Sequence, residues 1–97
     1  MVELIFHPEA SQDVRDIQFH YSQISESLAT RFWGELNLIL DRIEQNPEQH
    51  HFDRSGLRRS NLKKFPYHVL FEITSQCIFI LVVRHDKRHP SYGLDRN

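Results

Sequence analysis

The chain has 97 residues, the length of one compact domain (1–97), able to bury about 65% of its unfolded surface in a modest core. Apolar residues are 39% and charged residues 26%, a globular balance that excludes a disordered chain. The longest apolar run, Cys77 to Val83, falls far short of the ~18–20 residues that cross a bilayer. A transmembrane helix is therefore excluded and no membrane partner is expected.

The opening residues Met1-Val2-Glu3-Leu4-Ile5 lack the basic and apolar regions of a secretory leader. The single cysteine, Cys77, has no partner for an internal disulfide, and the expected compartment is the cytoplasm. The net charge of −1 conceals an asymmetry. Residues 1–53 carry three basic and ten acidic side chains, a net of −7, whereas residues 54–97 carry nine basic and three acidic, a net of +6. Either the two halves neutralise each other within the fold, or the basic half faces an acidic partner.

In chain order, Val2, Leu4 and Phe6 alternate with Glu3, Ile5 and His7, the period of a strand. Pro8 suits the first turn of a helix, and Ala10, Val14, Ile17, Tyr21 and Ile24 form its apolar stripe. Ser25 or Ser27 caps a second helix with the stripe Leu28, Phe32, Leu36, Ile39, Leu40 and Ile43, flanked by Trp33. Asn46-Pro47 ends it, because proline disfavours helical geometry in the preceding residue. Two helices joined this closely pack as a hairpin.

Glu48 to Gly56 is polar and reads as a loop. From Leu57 the period becomes two. A basic strand over Leu57–Lys64 breaks at Phe65-Pro66, and Tyr67–Thr74 follows with Tyr67, Val69, Phe71 and Ile73 on one face. Cys77–Arg84 is apolar on both faces and so is a central strand. Ser75-Gln76 lacks the Gly or Asn of a tight hairpin, which favours a wider turn. The expected fold is α+β, β-α-α-β-β-β, with a helical hairpin on one face of a mostly antiparallel curved sheet. The basic side chains of the Leu57–Lys64 strand and of the tail project from the other face.

Four strings in order after a strand and two helices carry a resemblance: Leu57-Arg58-Arg59, Phe65 to Phe71, Ile78 to Val83, and His85 to Tyr92. Over essentially its whole length the chain resembles the RelE/ParE superfamily of toxins from bacterial type II toxin–antitoxin modules. The resemblance implies a helical hairpin on a curved sheet and a cognate antitoxin that wraps and neutralises the toxin. It also implies one of two activities, mRNA cleavage on the ribosome or inhibition of DNA gyrase. RelE-like nucleases carry arginines where this chain has His68 and Asp86, while Arg88 and Tyr92 match their pattern.

If the chain is a nuclease, His68 or His85 supplies the base and acid that transfer through a 2′-hydroxyl requires. In that case Arg88, with Arg59 and Lys63, holds phosphate, and Tyr92 stacks on a base. Against this, His68 also reads as a hydrogen-bonded sheet residue, and Trp33 as packing. Arg58, Arg59, Lys63, Lys64 and Lys87 are the candidates for contact with a target or nucleic acid, or else solubilise a sheet edge. His50-His51 and the His85/His89 pair do not complete a metal set, and Pro90 argues against a helix there. There is no Gly-x-Ser-x-Gly elbow and no glycine-rich phosphate loop.

These features favour a ParE-like growth inhibitor that binds its target, DNA gyrase, without bond-breaking chemistry, and no cofactor is implied. A metal-independent, ribosome-dependent mRNA endoribonuclease and a relic that only binds antitoxin are the alternatives. The expected partners are a cognate antitoxin and either gyrase or ribosome and mRNA, in a homodimer or a hetero-oligomer with antitoxin.

Overall fold

The computed structural model describes residues 2–96. The chain opens with strand β1 (Glu3–Phe6), whose Leu4 and Phe6 face inward. His7 then caps helix α1 (Pro8–Ser22): its Nδ1 accepts the Glu9 N–H at 3.0 Å, and Pro8 takes the first helical position. Ala10, Asp13, Val14 and Ile17 form the buried face of α1. The helix stops short of Ile24, which is 63% exposed in the connecting turn and so leaves the expected stripe. Ser25 Oγ accepts the Leu28 N–H at 3.0 Å and caps α2 (Glu26–Gln45), which buries Phe32, Leu36, Ile39 and Ile43. Asn46 ends this helix before a short 3-10 turn over Pro47–Gln49.

Strand β2 (Arg58–Asn61) is shorter than the expected Leu57–Lys64. Leu62 and Phe65 are drawn into the core, which folds residues 62–66 back toward α2. There the Glu35 carboxylate accepts the N–H groups of Lys63 and Lys64 at 2.7 and 3.1 Å. Lys63 and Lys64 therefore leave the outer sheet face, where the sequence places them, for the helical side.

Strands β3 (Tyr67–Ile73) and β4 (Cys77–His85) complete a sheet of order β1-β4-β3-β2. β4 is central, parallel to β1 and antiparallel to β3. The Ser75-Gln76 turn closes without glycine, because Thr74 Oγ1 accepts the N–H groups of Gln76 and Cys77 at 3.2 and 2.9 Å.

The main core lies between the helices and the sheet, where Phe32, Phe65 and Tyr67 meet Tyr21 at ring separations of 5.2 to 6.1 Å. A register shift pairs Leu70 with Val82 but Phe71 with Ile80, leaving Leu81 as the extra residue of a bulge. Leu81 and Val82 consequently join Leu70 in a second apolar cluster, with Tyr92 of the tail packed against it. Gly93 adopts φ +83°, and a Cβ there would lie 2.6 Å from Val82 Cγ2, so only glycine brings the tail this close.

Candidate functional site: a closed charge ring and a stapled tail

The register of β3 and β4 sets His68 opposite Arg84 and Tyr67 opposite His85. Arg84 Nε has only a hydrogen to give and donates it to His68 Nε2 at 3.0 Å. The ring is then protonated on Nδ1, which donates to Asp86 Oδ1 at 2.8 Å. Arg59 approaches the same carboxylate at 3.7 Å and donates to Asp53 Oδ1 at 3.1 Å. Asp53 Oδ2 lies 3.9 Å from Arg84 Nη2, closing a ring of five side chains on the outer sheet face. Arg84 Nη1 also donates to the carbonyls of Pro90 and Tyr92 at 2.8 and 3.0 Å, tying the tail to the ring.

His68 is 1% exposed. Burial lowers its pKa below the ordinary value, and the nearby Arg59 and Arg84 charges lower it further against the pull of Asp86. Burial likewise lowers the pKa of Arg84. For Asp53 burial acts upward, but the Ser55 hydrogen bonds and Arg59 prevail and bring it down to about 2. With both nitrogens committed, His68 has none free to accept a proton from a substrate. A cavity of about 250 Å³ adjoins the ring, with Arg54 and Arg88 on its wall.

A second cleft, about 210 Å³, lies between α1 and the ends of β3 and β4, with Asp16, His20, His85 and Arg88 around it. His85 Nδ1 accepts the Lys87 N–H at 3.0 Å, and the ring stands edge-on to Tyr67 with centroids 5.1 Å apart. Tyr92 donates its hydroxyl to Asp13 Oδ1 at 2.9 Å, and the Arg88 guanidinium lies 4.3 Å from its ring centroid. Burial and the Asp13 hydrogen bond raise the Tyr92 pKa. Asp13 also accepts the Val83 N–H at 3.1 Å and a bidentate pair from Arg96 at 2.6 and 3.0 Å. Arg96 Nη1 reaches the bulged Leu81 carbonyl at 2.9 Å, and its hydrogen bond to Asp13 raises its pKa.

The structure thus separates the residues grouped from the sequence. His68 is sealed in the outer ring, whereas His85, Arg88 and Tyr92 border the second cleft, Arg88 bordering both. Arg58 donates to the Glu48 and His50 carbonyls and lies 4.3 Å from the Phe52 ring centroid. Arg59 belongs to the charge ring, Lys63 and Lys64 flank α2, and Lys87 is exposed in the turn after β4. Sequence reasoning did not single out Asp13, Asp53, Arg84 or Arg96. Asp13 carried a signal: with Ala10, Val14 and Ile17 it shares the buried face, and a carboxylate there demands partners. Among the described residues, no group of three or more His, Cys, Asp or Glu is placed to hold a metal ion. Among the same residues, no helix is long and apolar enough to cross a membrane.

A helical hairpin over a four-stranded mixed sheet, with a tail stapled across the outer face, defines a small α+β domain of the RelE/ParE type. The family model for the ParE toxin of the type II toxin–antitoxin system parDE matches residues 4–90, and the chain belongs to this family. Its fold is similar to that in a solved structure of the chromosomal ParDE toxin–antitoxin system from P. aeruginosa. That likeness has a TM-score of 0.76 at 21% identity and covers 88% of this chain and 96% of that one. No curated protein matches the chain.

Proposed function

We propose that the chain is a growth inhibitor that acts by binding a target, DNA gyrase, and is neutralised by a cognate antitoxin. One observation supports binding over cleavage: both ring nitrogens of His68 are held by Arg84 and Asp86. Transfer through a 2′-hydroxyl needs a base to accept a proton and cations to meet a developing phosphorane. In the outer ring the base is occupied, and Arg59 and Arg84 face Asp53 and Asp86. With its base and its cations matched within the chain, the ring is poorly furnished for bond breaking.

The test is induced expression without antitoxin, followed by gyrase supercoiling and ribosome-dependent mRNA cleavage assays on purified protein. Growth arrest with inhibited supercoiling and intact mRNA is expected. Cleavage abolished by His85→Ala or Arg88→Ala would establish a nuclease instead, and normal growth with two blank assays would overturn the toxin reading altogether.

A further inference from the structure

The tail over residues 90–96 is held to the sheet by side-chain hydrogen bonds and packing. Among the described residues, its backbone hydrogen bonds stay within residues 89–96, where the N–H groups of Tyr92, Leu94 and Arg96 donate to the carbonyls of His89, Ser91 and Gly93. Two clasps fasten it. At one, Arg96 and the Tyr92 hydroxyl grip Asp13. At the other, Arg84 Nη1 donates to the carbonyls of Pro90 and Tyr92 at 2.8 and 3.0 Å. Beneath lies the apolar cluster of Leu70, Leu81 and Val82, with Val82 against Gly93. A segment with no ladder bonds to the sheet opens at lower cost than the strands under it.

The clasps differ in what a proton does to them. Arg84 Nε donates to His68 Nε2 at 3.0 Å, so the guanidinium that holds the tail depends on a bare imidazole nitrogen. Facing His68 are Asp53 and Arg54 of the loop before β2, Arg59 of β2, Arg84 of β4, and Asp86 and Arg88 of the turn beyond it. These are four cations against two acids. A proton on Nε2 adds a fifth cation and sets one N–H against another at Arg84. Relief requires Arg84 to turn away, and its Nη1 then leaves both tail carbonyls. The Asp13 clasp has no such trigger, since burial raises the Tyr92 pKa and the Asp13 hydrogen bond raises that of Arg96.

We propose that residues 90–93 are a strap that a proton on His68 releases, uncovering Leu70, Leu81 and Val82 while Arg96 keeps its hold on Asp13. The direction follows from linkage. Release admits water to His68 and returns it toward 6.5, so the open form takes the proton more readily and gains population as pH falls below that value. The strap is independent of the toxin reading.

Thiol labelling reads the opening. In the full chain carrying Cys77→Ser, Val82→Cys puts a thiol beneath the strap and Ile80→Cys puts one in the main core. Rates with a dithiodipyridine are divided by those of a free thiol at the same pH. Local release makes the Val82→Cys protein react more than about tenfold faster than the Ile80→Cys protein at pH 5.5. From pH 7.5 to pH 5.5 the Val82→Cys rate rises about tenfold, the factor that one pH unit below 6.5 gives a ring protonated only when open. Adding His68→Gln holds the rise within about twofold. Adding Arg84→Met removes the clasp outright and gives fast labelling at both pH values. His89 Nδ1 accepts the Ser91 N–H at 3.1 Å inside the strap's own turn, and His89→Gln keeps the full rise.

Equal rates at the two labelled positions, a rise that survives His68→Gln, a rise lost with His89→Gln, or slow labelling with Arg84→Met each overturn the proposal. If His68→Gln does not fold, the Arg84→Met and His89→Gln results still decide.

Discussion

Asp13 and Arg96 stand 83 positions apart in the chain, yet form a two-contact ion pair at 2.6 and 3.0 Å. Their side chains are 5% and 6% exposed, so the pair is sealed from water. Removing one member strands a buried charge, which costs about 3–5 kcal/mol. Asp13 also accepts the Val83 N–H and the Tyr92 hydroxyl, so its removal orphans these two donors as well as Arg96, whereas removal of Arg96 leaves Asp13 with both. We therefore expect Asp13→Ala to destabilise the chain by about 3 kcal/mol, and Arg96→Ala by less, in urea unfolding. The double variant should lose less than the sum of the two, the mark of a direct pair.

Gly93 and Gly34 make a matched contrast. Alanine at 93 would be strained by φ +83° and would press on Val82 at 2.6 Å, and Val82 is fully buried under the tail. Gly93→Ala should cost about 2–3 kcal/mol in thermal unfolding, combining backbone strain with overpacking. Gly34 sits in an exposed stretch of α2 with open space around it. Gly34→Ala should stabilise the chain by about 0.5–1 kcal/mol, because alanine loses less conformational freedom in a helix.

Local periodicity exposed most of the fold. The spacing of Phe32, Leu36, Ile39 and Ile43 states a helix face, and the two-sided apolar run at β4 states a central strand. What periodicity could not state is which distant groups meet. The bulge at Leu81 turns two neighbours to one face, and the covering tail then finds Asp13 through Arg96. The candidate site was legible in part. His68 was foreseen as a hydrogen-bonded sheet residue, but Asp53 and Arg84 close the ring through a loop and a strand register, neither of which has a spacing signature. Lys63 and Lys64 were misplaced for a similar reason: burial of Leu62 and Phe65, rather than strand alternation, decides where residues 62–66 go.

Asp53 should set the acid limit of the fold. Its pKa falls from 3.8 to about 2 in the folded chain, so the folded state holds this carboxylate ionised where the unfolded state protonates it. The stabilisation is present above 3.8 and is lost as pH falls through about 2. A shift of this size corresponds to about 2 kcal/mol, and the Asp53 side chain is only 7% exposed, so screening takes little away. Asp53→Asn should lose about 2 kcal/mol at pH 7 in urea unfolding, and the difference from the parent should vanish near pH 2.

His68 should make the fold sensitive to mildly acid pH. Burial holds its pKa below 6.5 in the folded chain, with the Arg59 and Arg84 charges acting in the same direction and Asp86 against them. As pH falls below 6.5, the unfolded chain takes up this proton first, and stability declines through that window. Above 6.5 the contribution is complete. Protonation would also put a hydrogen on Nε2, directly against the Arg84 Nε–H that now donates to it. His68→Gln removes the titration while keeping one donor and one acceptor at the site. The parent should therefore lose more stability than His68→Gln between pH 7.5 and pH 5.5, as read from urea midpoints at the two pH values. Equal losses would show that other groups dominate the window, since the remaining histidines are common to both proteins.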